Sequence, residues 1–120
     1  MATYTKNTLS ASTNGRAIKV AATASAGTII HTGSTNTDTY DEIWLYAQNT
    51  SVAAVKLTIQ WGGTTATDDD IELLVPGESG LILVTPGLII RGAASALIVR
   101  AYAATTNLIT IHGYVNRIAP

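Results

Sequence analysis

Three consecutive aspartates, residues 68–70, follow a glycine pair in the segment WGGTTATDDD. Carboxylates at alternating positions of an extended chain share one side, so Asp68 and Asp70 could contact one cation, with Glu72 continuing the row. An EF-hand loop also requires a central glycine and a bidentate glutamate at its twelfth position, and nothing after Asp70 supplies that order. We interpret the run as a solvated loop that protects a strand edge; an acidic patch facing a partner and a loose calcium site are the alternatives.

Other residue types that could do chemistry are isolated along the chain. His31 and His112 occur without an HExxH motif or a close histidine pair, so we interpret them as ordinary strand residues; a shared pH-sensitive contact and a catalytic role are the alternatives. In PGESGL, Gly80 follows Ser79 directly, whereas a GxSxG elbow needs one residue between them. Residues 62–63 lack the GK[ST] ending of a phosphate-binding loop. The sequence therefore predicts no catalytic, metal-binding or cofactor-binding residues and no enzyme.

The composition limits the classes of partner. A chain of 120 residues fits one domain, and the absence of cysteine excludes disulfides and thiolate chemistry. Seven basic residues oppose eight acidic ones, which provides no electrostatic footprint for nucleic acid or anionic lipid. The polar start lacks a secretory signal, and Pro86 and Arg91 interrupt the apolar stretch 81–99, so we expect no export by that route and no membrane span.

Short runs of β-branched, aromatic and leucine residues alternate with turn residues, which predicts an all-β chain. Strands are predicted at 16–22, 27–32, 42–49, 53–61, 70–75, 80–85, 88–92, 96–103 and 107–118, of which 80–85 and 88–92 are interpreted as one bent strand. About eight strands without crossover helices favour a single antiparallel β-sandwich of the jelly-roll type; an immunoglobulin-like sandwich is the rival.

The chain is predicted to have two parts. Residues 1–15 form a polar N-terminal arm that contributes little to the core, and residues 16–120 form the β-sandwich. The Pro-Gly pairs at 76–77 and 86–87 each predict a turn.

Strand alternation predicts which residues meet a partner. In EIWLYAQN it places Trp44 and Tyr46 on the face opposite Ile43 and Leu45, and in ALIVRAY it places Arg100 and Tyr102 on an amphipathic face. Such faces are apolar enough to meet another subunit. Tyr4 and Lys6 of the arm are further candidate contacts. The five large rings, those of Trp44, Tyr46, Trp61, Tyr102 and Tyr114, are interpreted as packing in the core or in a subunit interface; a sugar-stacking platform is the alternative.

The runs YDEIWLYAQNTSVAAVKLTIQWGGTT, LLVPGESGLILVTPGLIIRG and LIVRAYAATTNLITIHGYVNRI, within residues 40–118, resemble the capsid decoration (cement) proteins of tailed bacteriophages, which have a jelly-roll fold. The resemblance implies a non-enzymatic virion protein, commonly a homotrimer, that is made in the host cytoplasm. It also implies a position on the outer capsid surface, where the protein bridges major capsid subunits and needs no cofactor, nucleic acid or membrane. A head fibre, a tail component and a carbohydrate-binding sandwich are the alternatives.

Overall fold

A computed structural model, which describes residues 2–120, contains nine strands and no helix in that range. The strands are β1 Thr3–Thr8, β2 Ile18–Lys19, β3 Thr28–Thr32, β4 Tyr40–Asn49, β5 Val55–Trp61, β6 Asp70–Val75, β7 Ile82–Arg91, β8 Ile98–Ala103 and β9 Ile109–Ala119. Residues 2–120 contain no helix that is long and apolar enough to cross a bilayer.

The strands form two antiparallel sheets that pack face to face. Sheet A has the order β1-β9-β4-β7, with the short β2 also paired to β9, and sheet B has the order β3-β8-β5-β6. The predicted all-β antiparallel sandwich is therefore confirmed. Most strands lie at their predicted positions, but the predicted strand at 16–22 is reduced to the two residues of β2.

Aliphatic side chains from the two inner faces form the core. Ile43 and Leu45 of β4 and Leu57 and Ile59 of β5 are fully buried, as the alternation in these strands predicts. Burial of one such side chain contributes roughly 1.5–3 kcal/mol to the free energy of folding. Trp61 packs against this cluster at its margin and is only half-buried. The core is thus filled mainly by valine, isoleucine and leucine.

The N-terminal segment is part of the sandwich, which corrects the predicted boundary at residue 16. β1 pairs with β9 at six consecutive positions, from Thr3 opposite Ala119 to Thr8 opposite Tyr114. The prediction failed because every β1 side chain is exposed, so the strand shows no apolar alternation. Leu9, directly after β1, is 1% exposed and belongs to the core.

The predicted turn at Pro86 is wrong, whereas the bent-strand interpretation of this region is right. β7 runs without interruption from Ile82 to Arg91, and its register to β4 shifts at two places. The buried Thr85 lies between these bulges, where its Oγ1 accepts a bond from the Leu45 N–H and donates one to the Ile43 carbonyl, both at 3.1 Å. A side-chain hydroxyl therefore bonds to the β4 backbone where the ladder is irregular.

Candidate binding face on sheet A

The structure brings together four of the six predicted interface residues. Tyr4 and Lys6 of β1 and Trp44 and Tyr46 of β4 all lie on the outer face of sheet A, the face turned away from sheet B. Arg100 and Tyr102 lie on β8, on the outer face of sheet B, and are therefore on the opposite side of the molecule. The six residues therefore do not lie on one surface.

Strand register places a row of residues across the outer face of sheet A. Trp44 on β4 is opposite Tyr114 on β9 and opposite Pro86 on β7. Two residues further along β4, Tyr46 is opposite His112 and Leu83. This outer face therefore carries side chains from distant parts of the chain, which the strand pairing alone makes neighbours.

The centre of this face is an aromatic pair. The rings of Trp44 and Tyr114 are nearly parallel, with an interplanar angle of 10° and centroids 6.1 Å apart. Lys6 Nζ lies 5.1 Å from the centroid of the Tyr114 ring, within the range of a cation–π contact. The edge of the Trp44 indole lies against Gly87, where a β-carbon would be 3.0 Å from the ring. The absence of a side chain at Gly87 thus allows the indole to approach β7 closely.

Glu42 is held in place beside this pair. Its Oε1 accepts hydrogen bonds from the Trp44 indole N–H at 2.8 Å and from the Asn116 side-chain amide at 3.0 Å. The first of these bonds, and then the second, lowers the pKa of Glu42 below its ordinary value. The carboxylate is therefore ionised at neutral pH, with a fixed orientation.

Large apolar side chains continue the face toward the β7 edge. Leu83 is 47% exposed and Ile89 is 56% exposed, and both lie opposite outward-facing residues of β4. At the other edge, Tyr4 on β1 is 73% exposed. Leu83, Ile89 and Asn116 were not predicted from the sequence. The side of the sheet to which β7 and β9 turn these residues depends on strand register and on bulges, which strand alternation does not give.

The outer face of sheet B is partly covered by the chain itself. Gln60 is buried although it lies on this face, since its Oε1 accepts a bond from the Gly27 N–H at 2.8 Å and its Nε2 donates to Ser25 Oγ at 2.9 Å. Arg100 Nη1 donates to the Gly27 carbonyl at 3.3 Å. The segment before β3 therefore occupies part of this surface, and Arg100 has a structural contact there.

A buried ionic cluster connects the two sheets. Asp41 on β4 is 1% exposed; its Oδ2 accepts a bond from His31 Nε2 at 2.8 Å, and its two oxygens accept bonds of 2.7 and 2.9 Å from Arg117. Burial by itself would raise the pKa of Asp41, but the bonds from Arg117 and His31 outweigh it and lower that pKa from 3.8 to about 2. The pKa of Arg117 is raised by the same hydrogen bond.

His31 is positioned as a structural residue. Its Nδ1 accepts a hydrogen bond of 3.1 Å from the backbone N–H of Ser10, which assigns the proton of the neutral ring to Nε2. The Ser10 hydroxyl accepts a bond from the Thr32 N–H instead of contacting the imidazole. His112 lies half-buried on the outer face of sheet A, so the two histidines do not share a contact.

The aspartate run belongs partly to a loop and partly to β6. Asp69 Oδ2 accepts a bond from the Thr65 N–H at 3.0 Å, which fixes the loop, and Asp70 begins β6 opposite Gln60. Asp70 Oδ1 is buried without a hydrogen-bond partner among the described residues. Within residues 2–120, no three histidine, aspartate or glutamate side chains are grouped as metal ligands.

The five rings of the predicted sugar platform are not on one surface. Trp44, Tyr46 and Tyr114 share the outer face of sheet A, but Trp61 packs against the core and Tyr102 lies on sheet B.

Comparison with known proteins gave no match to a family model, to a curated protein or to a solved structure.

Proposed function

We propose that this protein is a non-enzymatic virion structural protein that decorates the outer surface of a bacteriophage capsid. In this role it stabilises the particle by bridging major capsid subunits, as a homotrimer. The observation that carries the proposal is the outer face of sheet A, with the Trp44–Tyr114 pair at its centre and exposed Leu83 and Ile89 beside it. Exposed apolar and aromatic side chains grouped on one face, with polar residues among them, are typical of a protein interaction site.

The strand order supports a jelly-roll assignment, which is the fold that the family resemblance implies. β1 and β2 pair with successive stretches of β9, at 114–119 and 110–111, so together they act as one edge strand. Counted in this way, each sheet has four strands, as in an eight-stranded jelly roll.

The chemistry of the titratable groups is consistent with a structural role. His31, Asp41 and Arg117 bond to one another, and His31 also bonds to the backbone of Ser10, so these groups fix the packing of two sheets. The near balance of charge also argues for association by close packing, since long-range steering requires a strong field of one sign.

The test is sedimentation of the protein with undecorated capsids at low and high salt. We expect the unmodified protein to be retained at both salt concentrations. Ile89→Asp should be lost, because the substitution replaces an exposed apolar side chain of this face with a charge. Leu74→Asp is the matched control: Leu74 is 65% exposed but lies on β6 of sheet B. Equal retention of the two variants would reject sheet A as the capsid-binding face.

A further inference from the structure

A groove of about 380 Å³ lies at the β1 end of the outer face of sheet A. Its lining comes from β1, β4 and β9 and consists of Tyr4, Thr5, Lys6, Glu42, Asn116 and Ile118. The register explains the grouping, because Lys6 is opposite Asn116, which is in turn opposite Glu42. This volume falls within the range of small-molecule sites in proteins, roughly 300–1,000 Å³.

Hydrogen-bonding groups in the groove remain open to a ligand. Glu42 Oε1 is occupied by Trp44 and Asn116, whereas its Oε2 has no hydrogen-bond partner within residues 2–120. The Asn116 side chain donates through Nδ2, which leaves its carbonyl oxygen as a second acceptor. Lys6 Nζ lies over the Tyr114 ring and supplies donors. The groove thus offers both acceptors and donors at defined positions.

The charges in the groove select the kind of ligand. Lys6 would repel a cationic ligand and Glu42 would repel an anionic one, so the pair favours a neutral ligand with hydroxyl groups that donate and accept. The exposed ring of Tyr4 and the side chain of Ile118 add apolar surface on which a sugar ring can lie.

We propose that this groove binds one unit of a neutral saccharide, with a hydroxyl donating to Glu42 Oε2, another accepting from Lys6, and the Tyr4 ring against the apolar side of the sugar. The site does not depend on the proposed capsid role, because it requires only the groove of an isolated chain. It would be an additional activity of the same face.

The experiment is an NMR titration of the isotopically labelled full chain with methyl β-D-galactopyranoside, methyl α-D-glucopyranoside and N-acetylglucosamine. We expect at least one of these sugars to shift the amide signals of β1, Glu42 and Asn116, with a dissociation constant on the order of 1–10 mM, as suits an open groove. Glu42→Gln and Tyr4→Ala should each weaken binding by about tenfold.

Two control variants on sheet B test whether sugar binding is confined to the groove. Glu72→Gln and Tyr102→Ala make the same changes on that sheet and should leave the sugar affinity unchanged. A circular dichroism spectrum checks that each variant is folded. The proposal is overturned if none of the three sugars shifts the groove signals, if Glu42→Gln binds as tightly as the unmodified chain, or if glucosamine or glucuronate binds more tightly than the neutral sugars.

Discussion

At the scale of single residues, Asp41 connects the two sheets. His31 reaches it from β3 of sheet B, and Arg117 reaches it from the adjacent strand of sheet A. A buried carboxylate stabilises a fold only while its partners are present, and removing one member leaves an uncompensated charge. The cluster therefore makes one end of the sandwich sensitive to acid.

The lowered pKa of Asp41 defines the pH range of that sensitivity. Because the folded pKa is about 2 and the ordinary value is 3.8, this stabilisation is fully present above about pH 4 and is lost as the pH falls through 2. We expect a loss of about 1–2 kcal/mol over this range, allowing for solvent screening at the partly exposed Arg117. Urea unfolding at pH 6 and at acid pH measures it.

Asp41→Asn should destabilise the fold by about 3 kcal/mol at neutral pH and remove most of this acid-dependent loss. Asp38→Asn is the control, since Asp38 is a largely exposed partner of Arg91 and should change stability by less than about 0.5 kcal/mol. If Asp41→Asn retained the full acid dependence, the carboxyl responsible would be a different one.

Gly87 provides a second prediction at this scale. Its φ is +74°, and an added β-carbon would lie 3.0 Å from the Trp44 ring. Gly80 has nearly the same φ, +75°, with nothing within 4 Å of the corresponding position. We expect each alanine variant to lose about 1 kcal/mol because of the left-handed backbone, and Gly87→Ala to lose more. Only Gly87→Ala should shift the indole N–H signal of Trp44; equal effects would show that the ring contact is unimportant.

At the scale of elements, β1 combines a strand position with an entirely exposed set of side chains. The residues that directly follow β1 in the chain connect it to the core. Leu9 is buried, the Ser10 N–H bonds to His31, and the Ala11 N–H bonds to the Ile30 carbonyl at 3.2 Å. These contacts attach the N-terminal segment to β3 of sheet B, although β1 itself belongs to sheet A.

Two truncations distinguish the contribution of β1 to stability from the contribution of the residues that follow it. Deletion of residues 2–7 removes only exposed side chains and edge pairing, so a small loss of stability is expected. Deletion of residues 2–14 also removes Leu9 and Ser10, and should cost a further 3 kcal/mol or more, about that of a buried leucine replaced by alanine. Urea unfolding compares them, and equal stabilities would contradict the role assigned to Leu9.

At the scale of the whole molecule, the fold is elongated, with extents of 48 × 27 × 21 Å, and sheet A exposes the large apolar side chains of Tyr4, Leu83 and Ile89. We predict that the isolated protein is a trimer of the 12.5 kDa chain in light scattering. Leu83→Asp should reduce the measured mass, because it places a charge on this face. Lys56→Asp on sheet B should not. A monomeric mass for the unmodified protein at the highest attainable concentration would remove the trimer from the proposal.

Local sequence patterns were sufficient to predict part of the fold. Alternation in β4 correctly assigned Leu45 to the core and Trp44 to the opposite face, because a strand has a side-chain period of two whatever its neighbours are. The same rule could not assign β1, whose side chains are all polar or exposed, since the position of that strand is determined by backbone pairing to β9.

The sequence by itself thus determined the all-β class of this protein, most strand positions and the core-facing aliphatic residues of β4 and β5. The tertiary structure decided which side chains lie next to each other on one face of a sheet. Arg117 is next to Asp41 and Tyr114 next to Trp44 only because β9 pairs with β4, while Arg100 is on the other sheet. The physical reason is that alternation is a local property of the backbone, whereas strand order and register result from packing the two sheets around one core.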